Sequence, residues 1–217
     1  HQVAELWLKL LLHELHSARA LLAADELAPA LKRLARVKHV QKQLVEQWDV
    51  LATLTPSEYA QIRPFLATSS GFQSHQYRSV EFLLGNKNGD MVRVFEHDPP
   101  RREALERLLV EPTLYDEFLR FLARRGYAVP AAVLERDLTR AYRSHDGLVE
   151  VFAAVYASPA EHWGVYETCE ELVDIEDLLQ QWRFRHLQDV TRTIGRKSGT
   201  GGSSGVDILR RALDLTF

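Results

Sequence analysis

Tyr59 and Arg63 stand four residues apart, a spacing that puts both side chains on one face of a helix, where a guanidinium fork and a phenol can grip a carboxylate together. The same spacing also suits an ordinary surface pair. His186 lies in the run Trp182-Arg183-Phe184-Arg185-His186, aromatic and cationic by turns. A histidine packed among aromatics serves either as a satisfied core residue or as an axial imidazole for a haem iron, and the residues alone leave both open. Gly199-Thr200-Gly201-Gly202-Ser203-Ser204-Gly205 is too rich in small residues to form regular structure at tolerable entropy cost. It lacks the order of a phosphate-binding P-loop, and no strand leads into it. A plain linker and a substrate-covering lid, with Thr200 presenting a hydroxyl and an amide, both remain.

Other clusters point to less. His13-Glu14-Leu15-His16 spaces its histidines three apart, one residue short of the helical zinc-protease motif, and reads as a partly exposed helix face. Glu167, Glu170, Glu171, Asp174, Glu176 and Asp177 lack the Glu-x-x-His partners of a di-iron bundle and read as solvated surface. Arg183, Arg185, Arg192, Arg196 and Lys197 make the end of a long helix basic, suited to the helix dipole or to a ligand's carboxylates.

The elements that must position these groups are helical. Leu27, Leu31, Leu34, Val37, Val40, Leu44, Trp48 and Leu51 recur at three- and four-residue steps, and a preceding helix carries Val3, Leu6, Trp7, Leu10 and Leu11 on one stripe. The two predict a helical hairpin. Thr55-Pro56-Ser57-Glu58 is a capping box with proline in the first turn and opens the short helix bearing Tyr59 and Arg63. Helices follow at about 73–84, 103–109 and 115–124. Ser158-Pro159-Ala160-Glu161 repeats the cap pattern and is expected to open the longest helix, to about residue 194, before a last helix at about 206–215. Nothing alternates convincingly with period two, so the fold class is all-α with no significant sheet.

The chain has 217 residues, 46% of them hydrophobic, enough for a sizeable core. A net charge of −3 supplies no bulk attraction for nucleic acid or an anionic membrane, and no apolar run approaches a bilayer-spanning length. The single Cys169 excludes an internal disulfide and fits a reducing compartment, so a cytoplasmic location is expected.

The segments HQVAELWLKLLL (1–12), TPSEYAQIR (55–63), SSGFQSHQY (69–77), EFLLGNK (81–87), LLQQWRFRH (178–186) and GTGGSSGV (199–206) together resemble the tryptophan 2,3-dioxygenase family, in its bacterial form and in its order along essentially the whole chain. The resemblance implies one all-helical domain over residues 1–217 enclosing a b-type haem. Its ferrous iron binds O2, which is inserted across C2–C3 of the L-tryptophan indole to give N-formylkynurenine, the first step of the kynurenine pathway. It further implies that His186 ligates the iron and that His1 accepts the indole N–H, orienting the ring rather than removing so weakly acidic a proton. Arg63 and Tyr59 would hold the substrate carboxylate and Thr200 its ammonium and carboxylate. Ser70 and Gly71 would lie beside haem and substrate, and Trp48 and Tyr77 would line the haem pocket. The family is a homotetramer whose N-terminal segments are shared between subunits. An aromatic residue four positions before the distal histidine, that N-terminal segment and a C-terminal tail all lie outside this chain, which is therefore expected to be part of a longer protein. A related haem enzyme acting on another indole or phenol amino acid, or a non-catalytic helical interaction module, are the alternatives.

Overall fold

A computed structural model describes residues 1–66, 71–195, 197 and 205–216. Among them run ten α-helices and no strand: α1 (Gln2–Ala23), α2 (Leu27–Leu51), α3 (Pro56–Ile62), α4 (His75–Leu84), α5 (Pro99–Val110), α6 (Leu114–Arg124), α7 (Ala131–Leu134), α8 (Val149–Ala157), α9 (Trp163–Thr193) and α10 (Gly205–Ala212). The all-α expectation holds. Short 3₁₀ turns link several of them, including Arg63–Leu66 after α3 and Gly71–Gln73 before α4.

The hairpin of α1 and α2 is the spine. Leu8, Leu11, Leu15, Ala18 and Leu22 of α1 bury against α2, α4 and α6, while Leu34, Val37, Val40 and Leu44 of α2 contribute to the same core, with α9 packed along α2. The buried stripe of α1 is not the one expected from the sequence: Val3, Leu6 and Leu10 are exposed, and only Leu11 of that stripe is deeply buried. Leucines occur on nearly every face of this helix, so periodicity cannot choose among them, and contact with three neighbouring helices does. Glu14, inside the His13–His16 motif, is buried and held by Arg33 and Arg36 of α2 at 3.3 and 2.8 Å, while both histidines point to solvent.

α9 starts later than its apparent cap. The Ser158 amide donates to the Ala154 carbonyl at the end of α8, residues 159–162 turn, and His162 caps α9 without a side-chain bond. A Ser-Pro-x-Glu signal marks a change of direction here rather than a helix start, because the preceding helix ends on it. Most carboxylates of the 167–177 cluster have partners. Glu171 and Asp174 hold Lys38 of α2, Glu170 accepts from Tyr156, and Glu176 and Asp177 accept from Gln180 and Gln181.

Arg183 departs most from its place in the basic run. It is 1% exposed and donates to the Tyr77 hydroxyl at 3.3 Å, to Glu81 Oε1 at 3.2 Å and to the Leu215 carbonyl at 2.7 Å. Glu81 also holds Arg78, so one buried carboxylate ties α4 to α9. Burial disfavours the charge on Arg183, yet Tyr77 and Glu81 hold its pKa above the usual value. Removing one partner from such a network leaves the others desolvated and unpaired. Arg183→Met should therefore lower unfolding free energy in urea by about 3 kcal/mol, and a parent-like midpoint would show the network to be dispensable.

Candidate functional site

Three helices bring four aromatic rings together. Trp48 lies near the C-terminal end of α2. Its ring stacks on that of His186 in α9 with centroids 4.7 Å apart and planes 19° from parallel. Trp182, one helical turn before His186, lies 5.6 Å from the imidazole and 5.9 Å from Trp48. Tyr77 of α4 continues the chain of rings, 5.0 Å from Trp182. Three residues expected to share a pocket, Trp48, Tyr77 and His186, are thus brought together. Trp182 was not singled out for the site, although its i, i+4 relation to His186 was the available signal.

His186 is half-buried, with Nδ1 enclosed and without a partner among the described residues. Burial pushes its pKa down to about 4, so the imidazole is neutral at physiological pH and can offer a lone pair. The indole nitrogens of Trp48 and Trp182 are likewise buried without acceptors. Buried polar groups in folded proteins are almost always satisfied. The buried nitrogens of His186, Trp48 and Trp182, without partners among the described residues, therefore call for acceptors that water or a non-protein group can supply or bridge to. No cluster of three metal-ligating side chains occurs among the described residues.

The remaining groups approach from adjoining segments. His1 caps α1 with its side chain exposed. Gln76 of α4 donates to the carbonyl and carboxylate of Glu5 at 2.8 and 2.6 Å, which fixes the first turns of α1 beside the start of α4. Gly71 opens the 3₁₀ turn that leads into α4, and a Cβ there would face open space. α3 packs against α9, and its capping box forms as expected: the Thr55 amide donates to Glu58 Oε2 at 2.9 Å and the Glu58 amide to Thr55 Oγ1 at 3.3 Å. Tyr59 and Arg63 are half-buried, whereas most residues between them are exposed, so the pair shares the protected side of this short helix. The Arg192 guanidinium donates to the Ala52 carbonyl at 2.7 Å and Arg185 pairs with Asp49, clamping the α2–α3 corner onto α9. Ser70 and Thr200 lie outside the described residues, as does most of the glycine-rich segment.

An all-helical core that keeps one neutral imidazole among tryptophans, with Tyr59 on the adjacent capped helix and Arg63 at its C-terminal end, defines a helical protein with a histidine-centred aromatic cluster. The sequence profile of the tryptophan 2,3-dioxygenase family matches residues 1–107 and 146–217. The chain is 63% identical over all its 217 residues to a protein of Kineococcus radiotolerans named tryptophan 2,3-dioxygenase, covering 76% of that relative. Proteins of the same name from Saccharopolyspora erythraea and Serratia proteamaculans are 62% and 54% identical over the full chain, which covers 77% and 78% of them. The chain belongs to the tryptophan 2,3-dioxygenase family.

The depressed pKa of His186 has a measurable consequence. Between pH 6.5 and about 4 the unfolded chain binds a proton at this residue and the folded chain does not, so folding stability should fall as pH drops through that interval. In urea titrations across a pH series, His186→Phe should flatten this part of the profile, and an unchanged slope would place the ring in contact with water.

Proposed function

We propose that the chain is the catalytic domain of a haem-dependent oxidoreductase that inserts O2 across C2–C3 of the L-tryptophan indole ring to give N-formylkynurenine, opening tryptophan catabolism by the kynurenine route. The observation that carries this reading is the neutral imidazole of His186 held against Trp48 and Trp182, in a chain that relatives named tryptophan 2,3-dioxygenase match over its whole length. Ferrous haem b, when bound, supplies the O2-binding and activating chemistry.

His186 would hold the iron. As a neutral ligand it would require no proton to be displaced on binding. Trp48 and Tyr77 would wall the pocket and exclude water, with the small Ser70 and Gly71 leaving room for gas and substrate ring to approach the iron. Arg63 would grip the substrate carboxylate through a fork and Tyr59 would add a hydroxyl, which is the use their shared protected face supports. Thr200 would contact the ammonium and carboxylate from the glycine-rich segment, closing over the substrate. The His1 imidazole would accept a hydrogen bond from the indole N–H and orient the ring. Because that N–H is far less acidic than an imidazolium, His1 positions the indole and leaves its proton in place.

The whole chain would act as one cytoplasmic domain, within a homotetramer whose subunits supply N-terminal residues to each other's pockets, and without nucleic-acid or membrane partners. Leu6 on α1 and Phe65, two residues after Arg63, are 71% and 87% exposed, apolar surface that subunit contacts would cover. No helix among the described residues is long and apolar enough to cross a membrane.

The reading is tested by reducing the haem-loaded protein without air, adding L-tryptophan, admitting air and following the absorbance of N-formylkynurenine. Product is expected, and a protein that binds haem but forms none would refute the assignment. Arg63→Ala should weaken tryptophan binding about 10- to 150-fold, the equivalent of a lost charge-assisted pair. Titration giving the parent affinity would remove Arg63 from the carboxylate site.

A further inference from the structure

We propose that Asp189 is the outer hydrogen-bond acceptor for the Nδ1–H of His186 across one bridging water, and that it thereby sets the electron-donating strength of the ligating imidazole. The inference rests on the assignment of His186 to the iron and adds to it a positioning residue. His186 and Asp189 are three residues apart on α9, a spacing that places their side chains on one helix face with Cβ atoms roughly 5–6 Å apart. His186 Nδ1 and Asp189 Oδ2 are both enclosed and both lack a hydrogen-bond partner among the described residues. One is a donor in search of an acceptor and the other an acceptor in search of a donor.

The cations that could claim the carboxylate are engaged elsewhere. Arg185 pairs with Asp49 and Arg192 donates to the Ala52 carbonyl, so both act on Asp189 only through space. Partial burial raises the pKa of the Asp189 carboxyl against the opposing pull of Arg185 and Arg192. A ligating histidine generally passes its second ring N–H to a carboxylate, carbonyl or water, which fixes the tautomer and increases the basicity of the ligating nitrogen. A carboxylate at this point gives the imidazole partial anionic character and strengthens its donation to the metal. The iron is then harder to reduce than with a neutral acceptor. The buried indole N–H groups of Trp48 and Trp182 are the competing donors for the same oxygen.

The test compares the haem-loaded parent with Asp189→Asn, which preserves size and removes the charge. The iron–imidazole stretching band of the ferrous protein should move to lower frequency, the reduction potential should rise, and haem should dissociate about tenfold faster, the lower end of what losing such a partner costs a metal site. An unmoved band and potential would overturn the proposal and leave Asp189 to the indoles or to solvent. Should Asp189→Asn fail to retain haem, Asp189→Thr, which keeps an acceptor oxygen without charge, serves for the same comparison. His186→Gly with added imidazole separates this outcome from failure of the underlying assignment. If His186 is the ligand, the band disappears in His186→Gly and returns with exogenous imidazole. If the band survives without either, His186 is not axial, and both readings fall together.

Discussion

A histidine that must stay uncharged has to be kept dry, and most of the architecture around α9 serves that constraint. Trp48 covers one face of the His186 ring and Trp182 leans against it, leaving Nδ1 enclosed. Desolvation alone then holds the imidazole neutral, with no neighbouring charge needed to do so. Rings in contact also fix the orientation of one another, so the direction of the imidazole is set by two large, stiff neighbours on two helices.

Those neighbours need anchoring in turn, and the buried ion network supplies it. Arg183 precedes His186 by three residues and is joined to Tyr77 and Glu81 of α4, and its bond to the Leu215 carbonyl brings the chain after α10 onto the same point of α9. Gln180 donates to the same carbonyl at 2.8 Å. Buried charge pairs gain little stability over apolar packing, but they tolerate few alternative geometries. A network of this kind on the helix carrying a ligand trades stability for a defined helix position. It also connects both ends of the glycine-rich segment to α9, since that segment joins α9 to α10.

Much of this was legible in the residues. The strict three- and four-residue repeat of α2 gave its limits, because one face of that helix is apolar and the other carries lysines and arginines. The Thr55–Glu58 capping box was readable because its chemistry is local and complete within four residues. Where local signals compete with packing, they misled. Ser158-Pro159 has the same chemistry as Thr55-Pro56, yet it closes α8, and the Leu-rich α1 buries a different stripe from the one its first residues suggest. Of the site, His186, Tyr59 and Arg63 could be picked out by spacing and composition, and their grouping by the ordered resemblance of six segments. The burial of Arg183 could not, because an arginine in a basic run looks like surface until its partners 102 and 106 residues away are known. Trp182 and Asp189 also take their meaning only from the helix face they share with His186.

The central claim is that the enclosed imidazole of His186 is the protein's ligand to a haem iron. A crystal structure of the haem-loaded protein decides it most directly. The account predicts density continuous between a ring nitrogen of His186 and the iron, with the ring still stacked on Trp48. Iron ligated by any other side chain, with His186 turned away from the porphyrin, would contradict it.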